Sequence, residues 1–391
     1  MSDSVMMALG EDYAELREAV RRVCQRFPIA YWLELEEQNA YPTAFVQALT
    51  ENGFLAALIP EEYGGSGLPL RAAAVILEEI NASGCTASPA HAQMYIMGTL
   101  LRHGSPEQKQ RYLPGIAEGK LRLQAFGITE PTTGSDTTQL KTRAERSGDR
   151  YIVHGQKVWT SRALHSDLML LLARTTPLSE AARRTDGLSV FLVDLREARG
   201  KGLDIKPIKA MINHNATEVF MDGLEIPVEN RIGEEGKGFR YVLDGMNAER
   251  TLVATECVGD GRWLLRKACE YANERHVFNR PIGQNQGVQF PLARAYAELE
   301  AADMMCRRAA ALFEARQECG ADANMAKLLA SEATWKAAEA ALQTYGGFGY
   351  ASEYGIERKW RESRLYQTAP ISTNMVLAYL AQHVLGLPRS Y

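Results

Sequence analysis

Two short stretches hold residues suited to gripping a polar ring. Phe126-Gly127-Ile128-Thr129-Glu130-Pro131-Thr132-Thr133-Gly134-Ser135-Asp136 is a β-rich apolar run that breaks into a Pro/Gly/Ser/Thr loop. Such a loop offers free backbone N–H groups and hydroxyls to a heterocycle or a phosphate-bearing ligand. Val158-Trp159-Thr160-Ser161 sets a tryptophan beside two hydroxyl residues, a combination that walls a flat ring and hydrogen-bonds its edge. Further on, Arg275 with Phe278 suits a pyrophosphate clamp with an aromatic wall. Gln343-Thr344-Tyr345-Gly346-Gly347-Phe348-Gly349-Tyr350 carries a Gly-Gly-x-Gly that, by itself, reads as a helix-ending turn. In Asn247-Ala248-Glu249-Arg250-Thr251-Leu252 a glutamate adjoins an arginine, and taken alone that pair reads as a solvated helix face.

These residues need elements to carry them. Leu16, Ala19, Val20, Val23, Cys24 and Phe27 form an amphipathic helical stripe, Thr43 is a candidate N-cap for a helix over Ala44–Asn52 with Gly53 as its C′ residue, and Ser105-Pro106-Glu107-Gln108 is a strong helix start. Residues 1–120 are therefore predicted to be a helical domain. From 121 to 235 the period changes to two. Tyr151–Trp159, Leu168–Arg174, Leu188–Leu195 and Val219–Ile226 read as strands, with hairpin-turn chemistry at Ser147-Gly148-Asp149 and Asp222-Gly223. Short strands at this spacing predict a small β-barrel or sandwich, with Pro177–Gly187 as an exposed loop. From 236 to 391 long Ala/Leu-rich helical segments return, enough for a four-helix bundle.

Composition narrows the class. A chain of 391 residues with 46% hydrophobic and 24% charged content is long enough for two or three soluble domains. The net charge of −4, without a basic cluster, gives no reason to expect a nucleic-acid partner. No apolar run approaches a bilayer span, and the first residues lack a signal-peptide pattern, so a cytoplasmic location is expected. Six scattered cysteines read as reduced, buried, small apolar residues, and no histidine pair has metal-ligand spacing, so no metal is expected. His91, His103, His154, His214, His276 and His383 read as structural.

Thr129-Glu130-Pro131 with Gly134-Ser135-Asp136, followed about thirty residues later by Trp159-Thr160-Ser161, resembles the acyl-CoA dehydrogenase family of flavoproteins. The glycine-rich loop Pro60–Gly67, the Ser105–Gln108 start and the stretches around 247, 275, 343 and 361 follow in the family's order, across nearly the whole chain. The resemblance implies an N-terminal helical domain, a middle β-barrel and a C-terminal four-helix bundle. It implies FAD as cofactor, an acyl-CoA substrate, a homo-oligomer of four subunits and an electron-transferring flavoprotein as electron acceptor. Phe126, Ile128 and Thr129 would lie along the isoalloxazine, Trp159 behind it, and Ser161 near N5. Arg275, Phe278, Gln286, Gln343, Gly346 and Gly347 would reach the FAD of a neighbouring subunit, while Ser372 and Asn374 would serve FAD as well. Ser135, Asn247 and Arg250 would meet the CoA arm.

The resemblance has one departure. Many family members carry a catalytic glutamate where this chain has Pro370, and proline has no acid–base group. A second base position is known in the family, immediately before a substrate-contacting arginine on an earlier helix, and Glu249-Arg250 matches it. The expected reaction is FAD-dependent α,β-dehydrogenation of an acyl-CoA thioester, with Glu249 taking the α-proton. The same scaffold also hosts enoyl-CoA reductases, flavin monooxygenases, nitroalkane oxidases and a non-redox desulfinase. A non-enzymatic scaffold is a third alternative.

Overall fold

The structure is a computed structural model and describes residues 11–389; most of the stretch read for a signal peptide lies outside that range. In chain order the helices are α1 (Ala14–Cys24), α2 (Ile29–Gln38), α3 (Thr43–Glu51), α4 (Leu70–Ala82), α5 (Ser88–His103), α6 (Pro106–Ala117), the short α7 (Leu195–Ala198), α8 (Gly238–Glu274), α9 (Gln286–Glu314), α10 (Gly320–Tyr345), α11 (Ile356–Leu365) and α12 (Thr373–Tyr379). The strands are β1 (Leu123–Gly127), β2 (Arg143–Ser147), β3 (Arg150–Ser161), β4 (Leu168–Arg174), β5 (Leu188–Asp194), β6 (Leu203–Pro207), β7 (Ala216–Pro227), β8 (Arg231–Ile232) and the small pair β9 (His276–Val277) and β10 (Arg280–Pro281). The architecture is a helical N-terminal part, a β middle part and a helical C-terminal part.

By compactness the chain divides into two units. One unit takes its described residues from Asn39–Leu68 and Ser88–Met246 and contains the large sheet. Eight strands pair in the order β6-β7-β3-β2-β4-β5-β8, with β1 added in parallel to β4. Every residue of β4 is buried, so its run Leu-Met-Leu-Leu-Leu-Ala-Arg shows no alternation to solvent. Its even residues Leu168, Leu170 and Leu172 join a core with Ile96, Leu100, Leu113 and Ile116 of α5 and α6. Its odd residues Met169, Leu171 and Ala173 meet Tyr151, Val153, Val219 and Ile226 of β3 and β7, so the sheet wraps a second core of its own. Ser105 begins α6 with the full capping box, its Oγ accepting from Gln108 N and Gln108 Oε1 accepting from Ser105 N.

Two local expectations are corrected here. Thr43 is the first residue of α3 and not its cap, because its hydroxyl turns back to the Tyr41 carbonyl at 3.5 Å. Asp222-Gly223 is not a hairpin turn but a bulge inside β7, where Gly223 adopts φ +71° and donates its N–H to His154 Nδ1. The other turn holds: Gly148, at φ +61°, joins β2 to β3 in register.

The other unit takes its described residues from Met1–Gln38, Pro69–Ala87 and Asn247–Tyr391. Small residues let its helices approach closely: Ala254, Cys257, Ala295, Ala302, Ala326, Ala330 and Ala337 all lie in one core. A Cβ on Gly259 would stand 2.2 Å from the Glu78 carbonyl, so α4 and α8 meet backbone to backbone there. A buried polar network ties the middle segment to α8 and α11. Asn81 donates to the Glu256 carbonyl, Tyr366 and Lys359 donate to Asp260, and Thr86 donates to Glu362. Five of the six cysteines are buried as expected, but Cys269 is exposed on the outer face of α8. Among the described residues no helix is long and apolar enough to cross a membrane.

Candidate active site

The first group of site residues forms where β1 ends beside β3. Phe126 and Ile128 pack against the helix-covered core of the sheet, and the Thr129 carbonyl accepts a hydrogen bond from Val158 N at 2.9 Å. Beyond that bond β3 bulges: Val158 and Trp159 together oppose the single residue Glu218 of β7. A bulge redirects the side chain at its crest. Trp159 sits there at φ +59° and leaves 58% of its surface exposed, an unusual posture for an indole on a strand. Ser161 follows as the last residue of β3, paired with Ala216. The loop from Pro131 leaves Gly134 and Ser135 exposed.

What fixes this loop is a pair that sequence reasoning missed as a site element. Glu130, the central residue of the motif, is buried and accepts from Lys141 N at 2.6 Å, Thr142 N at 2.9 Å and Lys157 Nζ at 2.8 Å. Lys157 is wholly buried and also donates to the Ile128 carbonyl at 3.0 Å. Burial pushes the Lys157 ammonium down to about 8, opposed by Glu130. Burial would raise Glu130, but Lys157 and the two amides outweigh it and pull the carboxyl below its usual range. Three donors on one carboxylate fix the charge state: Glu130 ionised, Lys157 protonated. The signal for this pair was present, since period two from Tyr151 and Val153 turns Lys157 inward.

An isoalloxazine fits these residues. A projecting indole offers a flat face, Ser161 follows it two residues on, Thr129 is tied by its carbonyl to Val158 just before it, and the braced loop presents exposed small residues. Thr160 Oγ1 is buried without a hydrogen-bond partner among the described residues.

In the helical unit, α8 carries Asn247, Glu249 and Arg250 within one turn. Glu249 is 3% exposed, so the solvated-pair reading does not hold. Arg250 donates to Asn247 Oδ1 at 3.2 Å, and burial pulls its guanidinium down. Tyr379 of α12 faces Arg250 electrostatically. A Cβ on Gly320 would lie 2.9 Å from the Tyr379 hydroxyl and 3.9 Å from Asn247 Nδ2, which places the start of α10 at the same spot. Lys327 of α10, also missed from sequence, donates to the Ile371 carbonyl at 2.6 Å and interacts with Glu249 and Arg250.

A second cluster forms at the far ends of α8 and α10. Tyr271 and Tyr345 stack with centroids 4.2 Å apart, bringing Arg275 and Gln343 to neighbouring helix ends. The Arg275 backbone anchors the β9–β10 hairpin by accepting from Ile282 N, and Phe278 at its tip is 94% exposed at φ +52°. Gln286 opens α9 and is exposed; the Gln343 carbonyl accepts from Gly346 N, and Gly346 takes φ +58° next to exposed Gly347. Past the Pro370 bend, Ser372 caps α12 by accepting from Met375 N, and Asn374 is exposed. Pro370 itself is exposed. Among the described histidines, His103 pairs with Asp244 and His154 with Asp222, as structural residues.

Three family profiles match in order: "Acyl-CoA dehydrogenase, N-terminal domain" over residues 10–120, the middle domain over 125–224 and the C-terminal domain over 236–385. Acyl-CoA dehydrogenase FadE12 of Mycobacterium tuberculosis is 35% identical over 384 residues, covering 97% of this chain and 98% of that protein. The glutaryl-coenzyme A dehydrogenase glutaryl-CoA complex is similar with a TM-score of 0.88 and 30% identity, covering 100% of this chain and 97% of that one. The FAD complex of PigA is similar with a TM-score of 0.88 and 26% identity over 99% and 98% of the two chains.

Proposed function

The chain belongs to the acyl-CoA dehydrogenase family, an FAD-dependent oxidoreductase acting on acyl-CoA, and from that premise we propose that Glu249 is its α-proton base. The observation that carries this reading is burial. A glutamate beside an arginine on a helix is ordinarily solvated, yet Glu249 is 3% exposed on α8 while position 370 holds a proline.

Bound FAD supplies the acceptor for the β-hydride. The chain's own residues handle the proton and the substrate. The Glu249 carboxylate takes the proton from the thioester α-carbon, and its withdrawal from water keeps that acceptor desolvated. Arg250, held toward Asn247, offers a cationic donor to the CoA arm, and Ser135 offers a hydroxyl on the exposed loop. The Glu130–Lys157 brace keeps Thr129 and Val158 in place beside the ring site. Arg275, Phe278, Gln286, Gln343, Gly346 and Gly347 serve the FAD of a neighbouring copy, which accounts for the 94% exposure of Phe278 and makes the enzyme an oligomer. Ser372 and Asn374 serve FAD beside them. An electron-transferring flavoprotein reoxidises the enzyme in the cytoplasm.

Anaerobic flavin bleaching tests the assignment, with butyryl-, isovaleryl- and octanoyl-CoA as probes. Glu249→Gln should slow flavin reduction about 10²–10⁴-fold, the usual worth of a general base, with FAD content unchanged. Pro370→Ala should leave the chemical step near the parent rate. A Glu249→Gln protein that bleaches at the parent rate would show that the base lies elsewhere.

A further inference from the structure

We propose that Tyr379 is a further substrate-binding residue: its hydroxyl joins Asn247 and Arg250 in holding the CoA arm, and Gly320 is the residue that leaves it room. The proposal rests on the reading of Asn247 and Arg250 as contacts of that arm.

Three helices of one unit converge on this spot. Asn247 and Arg250 come from α8, Gly320 opens α10 and Tyr379 ends α12. A side chain at 320 would have its Cβ 2.9 Å from Tyr379 Oη, 3.8 Å from Tyr379 Cζ and 3.9 Å from Asn247 Nδ2. The phenol therefore arrives hydroxyl first, and two polar atoms from different helices meet at one point. Gly320 does not take the left-handed backbone that usually calls for glycine, so its missing side chain serves space and not conformation. Asn247 Oδ1 accepts from Arg250 at 3.2 Å, which turns Nδ2 toward the same point.

Asn247, Arg250, Gly320 and Tyr379 are all half-buried, at the edge of the helical core and within reach of a ligand. The Tyr379 ring rests against His383 with centroids 5.1 Å apart, while its hydroxyl has no hydrogen-bond partner among the described residues. A phenol drawn partly out of water with its polar end unpaired is unfavourable, and an acceptor on a ligand would relieve it. Tyr379, Asn247 and Arg250 all offer donors here: O–H, amide N–H and guanidinium N–H. An acyl chain has nothing to accept them. The CoA arm does, in its amide carbonyls and phosphate oxygens. The contact is one of binding, with no bond made or broken at Tyr379.

The test is the concentration dependence of anaerobic flavin reduction in the FAD-loaded enzyme, with each of the three acyl-CoA probes that the native protein reduces. Tyr379→Phe should raise the half-saturating concentration about two- to tenfold, the usual worth of one hydrogen bond, with the limiting rate within about twofold of the parent. The factor should be the same for every acyl chain, because the arm is shared. Gly320→Ala should raise it too, by setting a methyl where the hydroxyl approaches. In Tyr379→Phe/Gly320→Ala the two losses should not multiply, since removing the hydroxyl clears that place. An unchanged half-saturating concentration in Tyr379→Phe, a loss confined to the limiting rate, or losses that multiply in the double variant would overturn the proposal. So would a loss that varies with chain length, which would put the hydroxyl at the acyl group, or loss of fold or FAD in Tyr379→Phe, which would assign it to the scaffold. Arg250→Gln run in parallel separates the two readings. If it saturates at the native concentration, the arm lies elsewhere and this proposal falls with that reading. If it needs more substrate while Tyr379→Phe behaves as the parent, only the present proposal fails.

Discussion

Replacing Lys157 by methionine removes the cation beneath the ring-binding stretch while keeping much of the side-chain volume. Glu130 would then remain buried with two amide donors, Lys141 N and Thr142 N, and no counter-charge from β3. Removing one partner of a buried ion pair costs roughly 3–5 kcal/mol, because the other charge is left uncompensated. The two amides that remain place this case at the lower end, about 3 kcal/mol. The Ile128 carbonyl loses its donor in the same step, so the strain falls on Ile128 and Thr129, the residues proposed above to meet the flavin. If that energy is spent in the bound state, the FAD dissociation constant rises about 100-fold, at 1.4 kcal/mol per factor of ten. The assay is titration of apo-protein with FAD, following tryptophan fluorescence, alongside thermal unfolding of the apo form. Glu130→Gln/Lys157→Met should recover much of the loss, since a neutral pair of similar shape replaces the ions. A Lys157→Met protein that binds FAD within about threefold of the parent and melts at the parent temperature would refute the reasoning.

Arg275→Ala should lower FAD occupancy after purification with little change in the circular dichroism spectrum, since the side chain is exposed and its backbone makes the hairpin contacts. Gly259→Ala should destabilise the helical unit by about 1–3 kcal/mol, read as a lower denaturation midpoint, because the new methyl meets the Glu78 carbonyl and neither backbone can yield cheaply. Burial lowers both His103 and His165, so the unfolded chain binds more protons than the folded one as pH falls below about 6.5. Stability should therefore drop on acidification through that window, and a His103→Gln/His165→Gln protein should show a shallower drop.

Local chemistry was legible in the sequence; distant partnerships were not. The capping box at Ser105 closes within three residues, and β4 announces its double burial by an unbroken apolar run. The end of β1 at Gly127 was legible because an apolar run there gives way to Pro, Gly, Ser and Thr within a few residues. Lys157 and Glu130 lie 27 residues apart, and nothing near either names the other. Lys327 meets its carbonyl 44 residues on, from the first third of an alanine-rich helix where a lysine looks like a surface residue. Asp222-Gly223 has the composition of a turn, but β3 offers partners on both sides of it, so the chain absorbs the extra residue as a bulge and continues. Glu249 was singled out in the sequence by Pro370 and by the arginine that follows it, whereas its burial is a property of packing that no neighbour in sequence announces.

The unit that holds Glu249 is assembled from three separate lengths of chain, and this matters while the protein is being made. Synthesis delivers α1, α2 and α4 long before α8, α10 and α11 exist. Until then Asn81 and Thr86 lack Glu256 and Glu362, the acidic Glu78 has Arg17 but lacks Arg262, and the apolar surface that α1 and α4 do not cover for each other stays open. The sheet-bearing unit, complete once Met246 has emerged, is under no such obligation. A nascent chain therefore carries its first helices unfinished through most of translation, and a stop anywhere before α11 strands them. Chaperone dependence, and the toxicity of truncated products, should concentrate in that opening segment.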